Sequence, residues 1–167
     1  MDITPEMRQL VYLSLGSNIG DRQNHLREAV SKLETLGRVV SVSTFYETEP
    51  VEFTEQAWFL NCAVALQTTK TPEQLLGGIL QLEQQMGRQR LQKKGPRAID
   101  IDILLFADAI IDSPELTIPH PALHQRRFVL EPLAEIAPGA QHPLLRKTIR
   151  ELLDDLAAGQ IVRKFQE

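Results

Sequence analysis

The sequence predicts an α/β fold of the α+β kind: one antiparallel sheet with helices packed on it, followed by a C-terminal extension. Three observations predict it. Two segments with apolar residues at helical spacing are set among four segments rich in β-branched, aromatic or alternating residues. Their order is strand, helix, strand, strand, helix, strand, with Gly, Pro, Asn and Asp at the junctions. From Pro114 onward six prolines leave room only for short helices, near 126–135 and 148–157.

Residues 9–15 alternate, with Val11, Leu13 and Leu15 on one face and Tyr12 and Ser14 on the other, as a strand requires. Gly16 to Asp21 forms a polar turn. A helix then runs from Arg22 to Leu36, with Leu26, Ala29, Val30, Leu33 and Leu36 on one side and Gly37 as its stop. Residues 38–46 carry Val39, Val40, Val42, Thr44, Phe45 and Tyr46 and read as a strand. A loop with Pro50 covers 47–55. A third strand over 58–68 places Trp58, Leu60, Cys62, Val64 and Leu66 opposite Phe59, Asn61, Ala63 and Ala65.

The second helix has a written start. Thr71 caps it, Pro72 occupies the first helical position and Gln74 completes a capping box. Leu75, Ile79, Leu82 and Met86 form its apolar face, and Gly87 ends it. Residues 88–97 form a basic loop, 98–106 a strongly apolar strand, and Ala109 to Ile111 a short returning strand. The βαββαβ order is that of the ferredoxin-like group, with helices on one face of the sheet. Residues 1–167 are read as a single domain.

Composition narrows the function. The chain carries 43% hydrophobic and 24% charged residues with a net charge of −4, which argues against disorder and against chain-wide attraction to nucleic acid or an anionic membrane. The one cysteine, Cys62, sits in an apolar run and is expected to be a buried thiol. There is no signal-peptide pattern and no apolar run long enough to span a bilayer, so a soluble cytoplasmic protein is expected.

The chemistry concentrates in Gly95-Pro96-Arg97-Ala98-Ile99-Asp100-Ile101-Asp102. In a strand, Asp100 and Asp102 project to one side while Ile99, Ile101 and Ile103 anchor the other. Paired carboxylates repel unless a cation lies between them, and hard oxygen ligands suit Mg²⁺. By itself this spacing also fits a solvated acidic strand. The preceding loop shifts the reading. Arg88, Arg90, Lys93, Lys94 and Arg97 bring five positive charges and no acid, an anion site beside a metal seat, as nucleoside triphosphate chemistry needs. Neither a GxxxxGK[ST] loop nor a GxGxxG motif is present.

Phe59 and Asn61 share a strand face, where a planar heterocycle can stack on the ring and bond the amide; a core pair of the same residues has the same spacing. Pro119-His120-Pro121 holds a histidine in a rigid extended segment, with Arg126 and Phe128 close behind. A ligand-sensing module and an RNA-binding sheet share this topology. The first has no need of paired aspartates beside a basic loop, and the second expects a basic domain with more exposed aromatics.

These stretches resemble the 6-hydroxymethyl-7,8-dihydropterin pyrophosphokinase family from about Val11 to Leu153. The likeness runs through Leu15-Gly16-Ser17-Asn18-Ile19-Gly20-Asp21, Tyr46-Glu47-Thr48, Phe59-Leu60-Asn61, Gly87-Arg88, the GPRxIDIDILLF stretch from Gly95 and the PHPxLxxRxFVL stretch from Pro119. The resemblance implies transfer of the terminal diphosphate of ATP to the pterin hydroxymethyl oxygen, leaving AMP. It implies two Mg²⁺ ions on Asp100 and Asp102 and phosphate-gripping Arg88 and Arg97, with Arg90 as helper. Glu83, Ile103, His120 and Arg126 match positions near ATP. Phe59 and Phe128 would sandwich the pterin, with Asn61, Thr48, Pro50 and Val51 around its edge. Both substrates would bind a monomer. Three departures bear on loop closure: Glu49 where a proline often precedes Pro50, Lys94 where some members carry tryptophan, and a 88–97 loop one residue shorter than in some members.

Overall fold

The computed structural model describes residues 8–49, 58–87, 98–157 and 159–166. Strand β1 (Gln9–Ser17) leads into helix α1 (Arg22–Leu33), whose N-terminus is capped by the Asp21 carboxylate accepting from the Asn24 N–H at 3.1 Å. Strands β2 (Arg38–Val42) and β3 (Tyr46–Thr48) follow, then β4 (Phe59–Thr68). Helix α2 (Pro72–Gln85) starts on the expected capping box between Thr71 and Gln74, and Gly87 beyond its end takes φ +85°. Strand β5 (Asp100–Phe106), the small hairpin β6 (Ile111–Asp112) and β7 (Thr117–Ile118), helices α3 (Arg127–Ile136) and α4 (Ile149–Asp155), and strand β8 (Val162–Lys164) complete the order.

The main sheet runs β5-β1-β4-β3-β8, with β2 also paired to β4, and these five pairings are antiparallel. The observed core is strand, helix, three strands, helix, strand, which is the expected order with its second strand divided. The expected single strand over 38–46 is instead two, β2 and β3. Ser43 sits at the break, its N–H donating to the Ala63 carbonyl and its Oγ accepting from the Ala63 N–H. Both halves still pair with β4.

The two helices of the core lie on one face of the sheet, as expected, and the C-terminal extension covers the other. Alternation along the strands sends Leu13, Leu15, Leu60, Cys62, Val64, Ile101 and Ile103 into a core closed by α1 and α2 through Leu26, Leu33, Leu75, Ile79 and Leu82. The other face carries Tyr12, Ala63, Leu104 and Leu105, covered by Val129, Leu130 and Leu133 of α3 and Ile149, Leu152 and Leu153 of α4. The C-terminal extension thus supplies a second helical layer. A slip in the β1–β5 register between Tyr12 and Leu13 makes Leu104 the extra residue, so both Leu104 and Leu105 reach that second core. Strand β8, which pairs with β3, falls in a segment the periodicity did not assign. Its three residues are too few to show a period.

Candidate active site

Strand register places the candidate side chains on the sheet face that the second helical layer shares. Gly16 of β1 stands opposite Asn61 of β4 on one side and Asp100 of β5 on the other; Asn61 in turn faces Tyr46 of β3. Directly opposed residues project to the same face. Asp100, Gly16, Asn61 and Tyr46 therefore form a row across four strands. One step along, Asp102 faces Ser14, which faces Ala63. Both aspartates are half-buried on this face, and Ile99, Ile101 and Ile103 lie in the first core, as alternation predicted.

The row has a gap at Gly16. Its φ lies outside the left-handed region, so space rather than backbone conformation requires glycine. A Cβ there would lie 2.8 Å from Asn61 Oδ1 and 3.5 Å from Phe59 Cδ1. Asp100 and Asn61 are two strand spacings apart, about 10 Å, and the floor between them has no side chain. Sequence reasoning took Gly16 for the start of a turn. The detectable signal was a glycine at the end of a strand, which marks a close approach.

At the Asn61 end the site is buried and polar. Asn61 Nδ2 donates to Thr48 Oγ1 at 2.7 Å, and these residues are 3% and 2% exposed. Among the described residues, no donor meets Asn61 Oδ1. Phe59 and Thr48 are opposed in the β3–β4 ladder, next to this pair. Phe128 enters from α3, packed against the second core with the Arg126 guanidinium 5.5 Å above its ring.

At the Asp100 end, His120 is tied to β5 by its N–H, which donates to the Leu104 carbonyl at 3.0 Å. Its Nδ1 accepts from the Ala122 N–H at 3.1 Å, which puts the proton of the neutral ring on Nε2. Burial and the neighbouring Arg126 guanidinium push its pKa down to about 4, against a smaller opposing pull from Asp100. His120 is thus a neutral donor beside the carboxylates at physiological pH. Glu83 of α2 is 2% exposed, and its Oε2 accepts from the Ile101 N–H at 2.8 Å. It holds the strand between the two aspartates from the sheet's edge.

The structure therefore gathers Asp100, Asp102, His120, Arg126, Asn61, Thr48, Phe59 and Phe128 around one face. The Ile103 side chain is not among them; it is 6% exposed in the first core. Pro50, Val51, Arg88, Arg90 and Arg97, with Lys93 and Lys94, lie outside the described residues. Cys62 is buried as expected, and burial pushes its thiol up to about 12.

Comparison with known proteins bears directly on this arrangement. The sequence profile described as 7,8-dihydro-6-hydroxymethylpterin-pyrophosphokinase matches residues 12–138. The chain belongs to that family. This pyrophosphokinase chain is 47% identical over 132 residues to the 2-amino-4-hydroxy-6-hydroxymethyldihydropteridine pyrophosphokinase of Bacillus subtilis, covering 78% of this chain and 79% of the relative. It is 46% identical over 154 residues to the protein of that name from Methylorubrum extorquens, covering 91% and 96%. With the folic acid synthesis protein fol1 of Schizosaccharomyces pombe it shares 43% identity over 89% of its own length, but spans only 20% of that longer protein. A Plasmodium falciparum HPPK-DHPS crystal structure superposes with a TM-score of 0.72 at 22% identity, covering 88% of this chain and 43% of that one, a likeness of fold. The chain is accordingly an ATP-dependent diphosphotransferase of folate biosynthesis. Among the described residues, no helix is long and apolar enough to cross a membrane.

Proposed function

We propose that this pyrophosphokinase joins ATP and 6-hydroxymethyl-7,8-dihydropterin on the sheet face spanning β5, β1 and β4. The observation that carries this reading is the row Asp100–Gly16–Asn61: a carboxylate seat and a buried amide on one face, with only a glycine between them. Asn61 and Thr48 take the edge of the pterin, because the amide oxygen has acceptor capacity left and the Thr48 hydroxyl has a proton to give. Phe59 and Phe128 take its faces, and the family resemblance adds Pro50 and Val51 as pterin-binding residues. Arg88, Arg90 and Arg97 grip the polyphosphate in bidentate fashion. His120 Nε2–H and Arg126 donate to the nucleotide. Glu83 and Ile103 support β5 at that end from beneath.

Asp100 and Asp102 would hold two Mg²⁺ ions. Their donor set fits: two hard carboxylates on a rigid strand, with no cluster of three or more metal-binding side chains among the described residues. The remaining ligand positions then fall to water and phosphate oxygens, the shell Mg²⁺ prefers. Bound there, the ions neutralise charge on the transferring diphosphate.

The hydroxymethyl oxygen bonds to the β-phosphorus of ATP as the bond from that phosphorus to the α,β-bridging oxygen breaks, AMP departs with that oxygen, and the hydroxyl proton is lost to water. The protein's contribution is positioning and charge: it holds nucleophile and phosphorus in line and stabilises the leaving phosphate. With its pKa near 4, His120 is a donor here and too weak a base to keep the hydroxyl proton at neutral pH. On the same reading the chain works as a single cytoplasmic domain and as a monomer, which sedimentation of the active protein tests.

The deciding experiment incubates the protein with ATP, Mg²⁺ and the pterin alcohol. One AMP should appear per pterin diphosphate, and Asp102→Asn should abolish turnover while the fold survives. Formation of ADP, or full activity in Asp102→Asn, overturns the reading.

A further inference from the structure

The family match ends at residue 138, yet strand β8 beyond it reaches the pterin end of the site. Strand β3 has only three residues, and Thr48 is its last. So short a strand is weakly held by one neighbour. Strand β8 pairs with its other edge, matching Val162 to Thr48, Arg163 to Glu47 and Lys164 to Tyr46.

Contacts from β8 continue past the ladder onto residues adjoining Thr48 and Phe59. Glu49 is engaged at three points. Its N–H donates to the Ile161 carbonyl at 3.3 Å, its carbonyl accepts from Gln160 Nε2 at 2.8 Å, and its Oε1 accepts from the Ile161 N–H at 2.8 Å. Beside Phe59, Trp58 lies under the Arg163 guanidinium, 4.5 Å from the ring centroid, while Arg163 also reaches Glu47 Oε1 at 3.5 Å. Arg22 closes the set, donating to the Trp58 carbonyl at 2.8 Å and to Glu47 Oε2 at 3.2 Å. Glu49, next after Thr48, and Trp58, just before Phe59, are thereby fastened to one C-terminal segment.

We propose that residues 160–165 are a positioning element for the pterin subsite, acting through Glu49 and Arg163 to set Thr48 and Phe59 without touching substrate. This rests on the proposed function, in which those two residues meet the pterin. Ligand-bearing side chains must be held to about half an ångström to bind well. A three-residue strand gains that precision from the second strand on its edge.

The test uses the full chain with Glu49→Ala, Glu49→Gln and Arg163→Ala, assayed by AMP release with each substrate varied in turn. Glu49→Ala should raise the pterin KM roughly three- to tenfold, the scale of one ordinary hydrogen bond, because only part of the lost anchoring reaches the subsite. The ATP KM and kcat at saturating pterin should stay near the parent values. Glu49→Gln keeps the Oε1 acceptor and should restore most of the pterin affinity. Arg163→Ala should show the same selective effect at about two- to threefold, the scale of an exposed cation–π contact. An unchanged pterin KM in both alanine variants overturns the proposal. So does an equal loss toward both substrates accompanied by a lower Tm, which is the mark of scaffolding alone. Failure of the parent protein to release AMP would instead defeat the functional reading beneath it.

Discussion

Replacing Gly16 by alanine adds one methyl group to the floor of the site. That carbon arrives 2.8 Å from Asn61 Oδ1, several tenths of an ångström inside ordinary contact, while its 3.5 Å approach to Phe59 is tolerable. The amide must turn, and turning it breaks the 2.7 Å bond to Thr48 between two residues that are almost fully buried. Leaving those buried groups unpaired costs about 1–3 kcal/mol, offset by about 0.5–1 kcal/mol from the reduced freedom of the unfolded chain. Net destabilisation should therefore be on the order of 1 kcal/mol, and the protein should still fold. Binding should suffer more. Loss of a well-aimed amide to the pterin edge is worth roughly 10- to 100-fold in affinity. Initial rates of AMP release with pterin varied, alongside titration of the variant with a non-hydrolysable ATP analogue, separate the two ends of the site. The expected result is a pterin KM raised by that factor with nucleotide affinity retained. A parent-like pterin KM, or equal weakening of both substrates, would refute the picture of Gly16 as the open floor between the carboxylates and the amide.

Three further outcomes follow from other contacts. Glu83→Ala leaves the Ile101 N–H without its acceptor inside the protein and should cost about 1–3 kcal/mol in urea unfolding, with Mg²⁺-dependent ATP binding weakened, whereas Glu83→Gln should recover most of the stability. The His120 ring should titrate with a midpoint near pH 4 by NMR rather than near 6.5. Because its folded pKa is lowered, the unfolded state binds more protons between those values, so its contribution to stability is complete above pH 6.5 and drains away as pH falls toward 4; a His120→Asn variant should lose that part of the acid dependence. Glu135 accepts from the Thr44 N–H at 2.8 Å, from Thr44 Oγ1 at 2.6 Å and from the Tyr46 hydroxyl at 2.6 Å, joining α3 to β3. Burial opposes its ionisation, but these hydrogen bonds prevail and hold the carboxyl below its ordinary value. Its contribution is therefore present above the ordinary carboxylate range and lost as pH falls through its lowered folded pKa, and Glu135→Gln should flatten the acid limb of a Tm-versus-pH curve.

Local sequence determined the elements that carry their own signals. The capping box at Thr71, the apolar stripe of α1 and the alternation through Ile99, Asp100, Ile101, Asp102 and Ile103 were each legible, because each depends on residues within a turn or two. The shared face of Asp100 and Asp102 was legible for the same reason: two residues at i and i+2 point the same way wherever the strand lies. The second helical layer was not. Prolines predicted that the helices after Pro114 are short, but the choice of sheet face rests on Val129, Leu130 and Leu133 meeting Ala63 and Leu104, contacts distant in sequence. The break at Ser43 and the addition of β8 were equally hidden, since a three-residue strand exists only through its partner.

What the sequence by itself determined was the chemistry available: paired carboxylates, a cationic loop, an amide beside an aromatic ring and a proline-bracketed histidine. What only the tertiary structure decided was their placement: Gly16 between Asp100 and Asn61, Glu83 beneath Ile101 and the C-terminal strand beside Thr48. The physical reason is the range of the forces. Side-chain direction in a strand follows from local backbone geometry, whereas strand register follows from burial summed over many remote partners, which no short window of sequence contains.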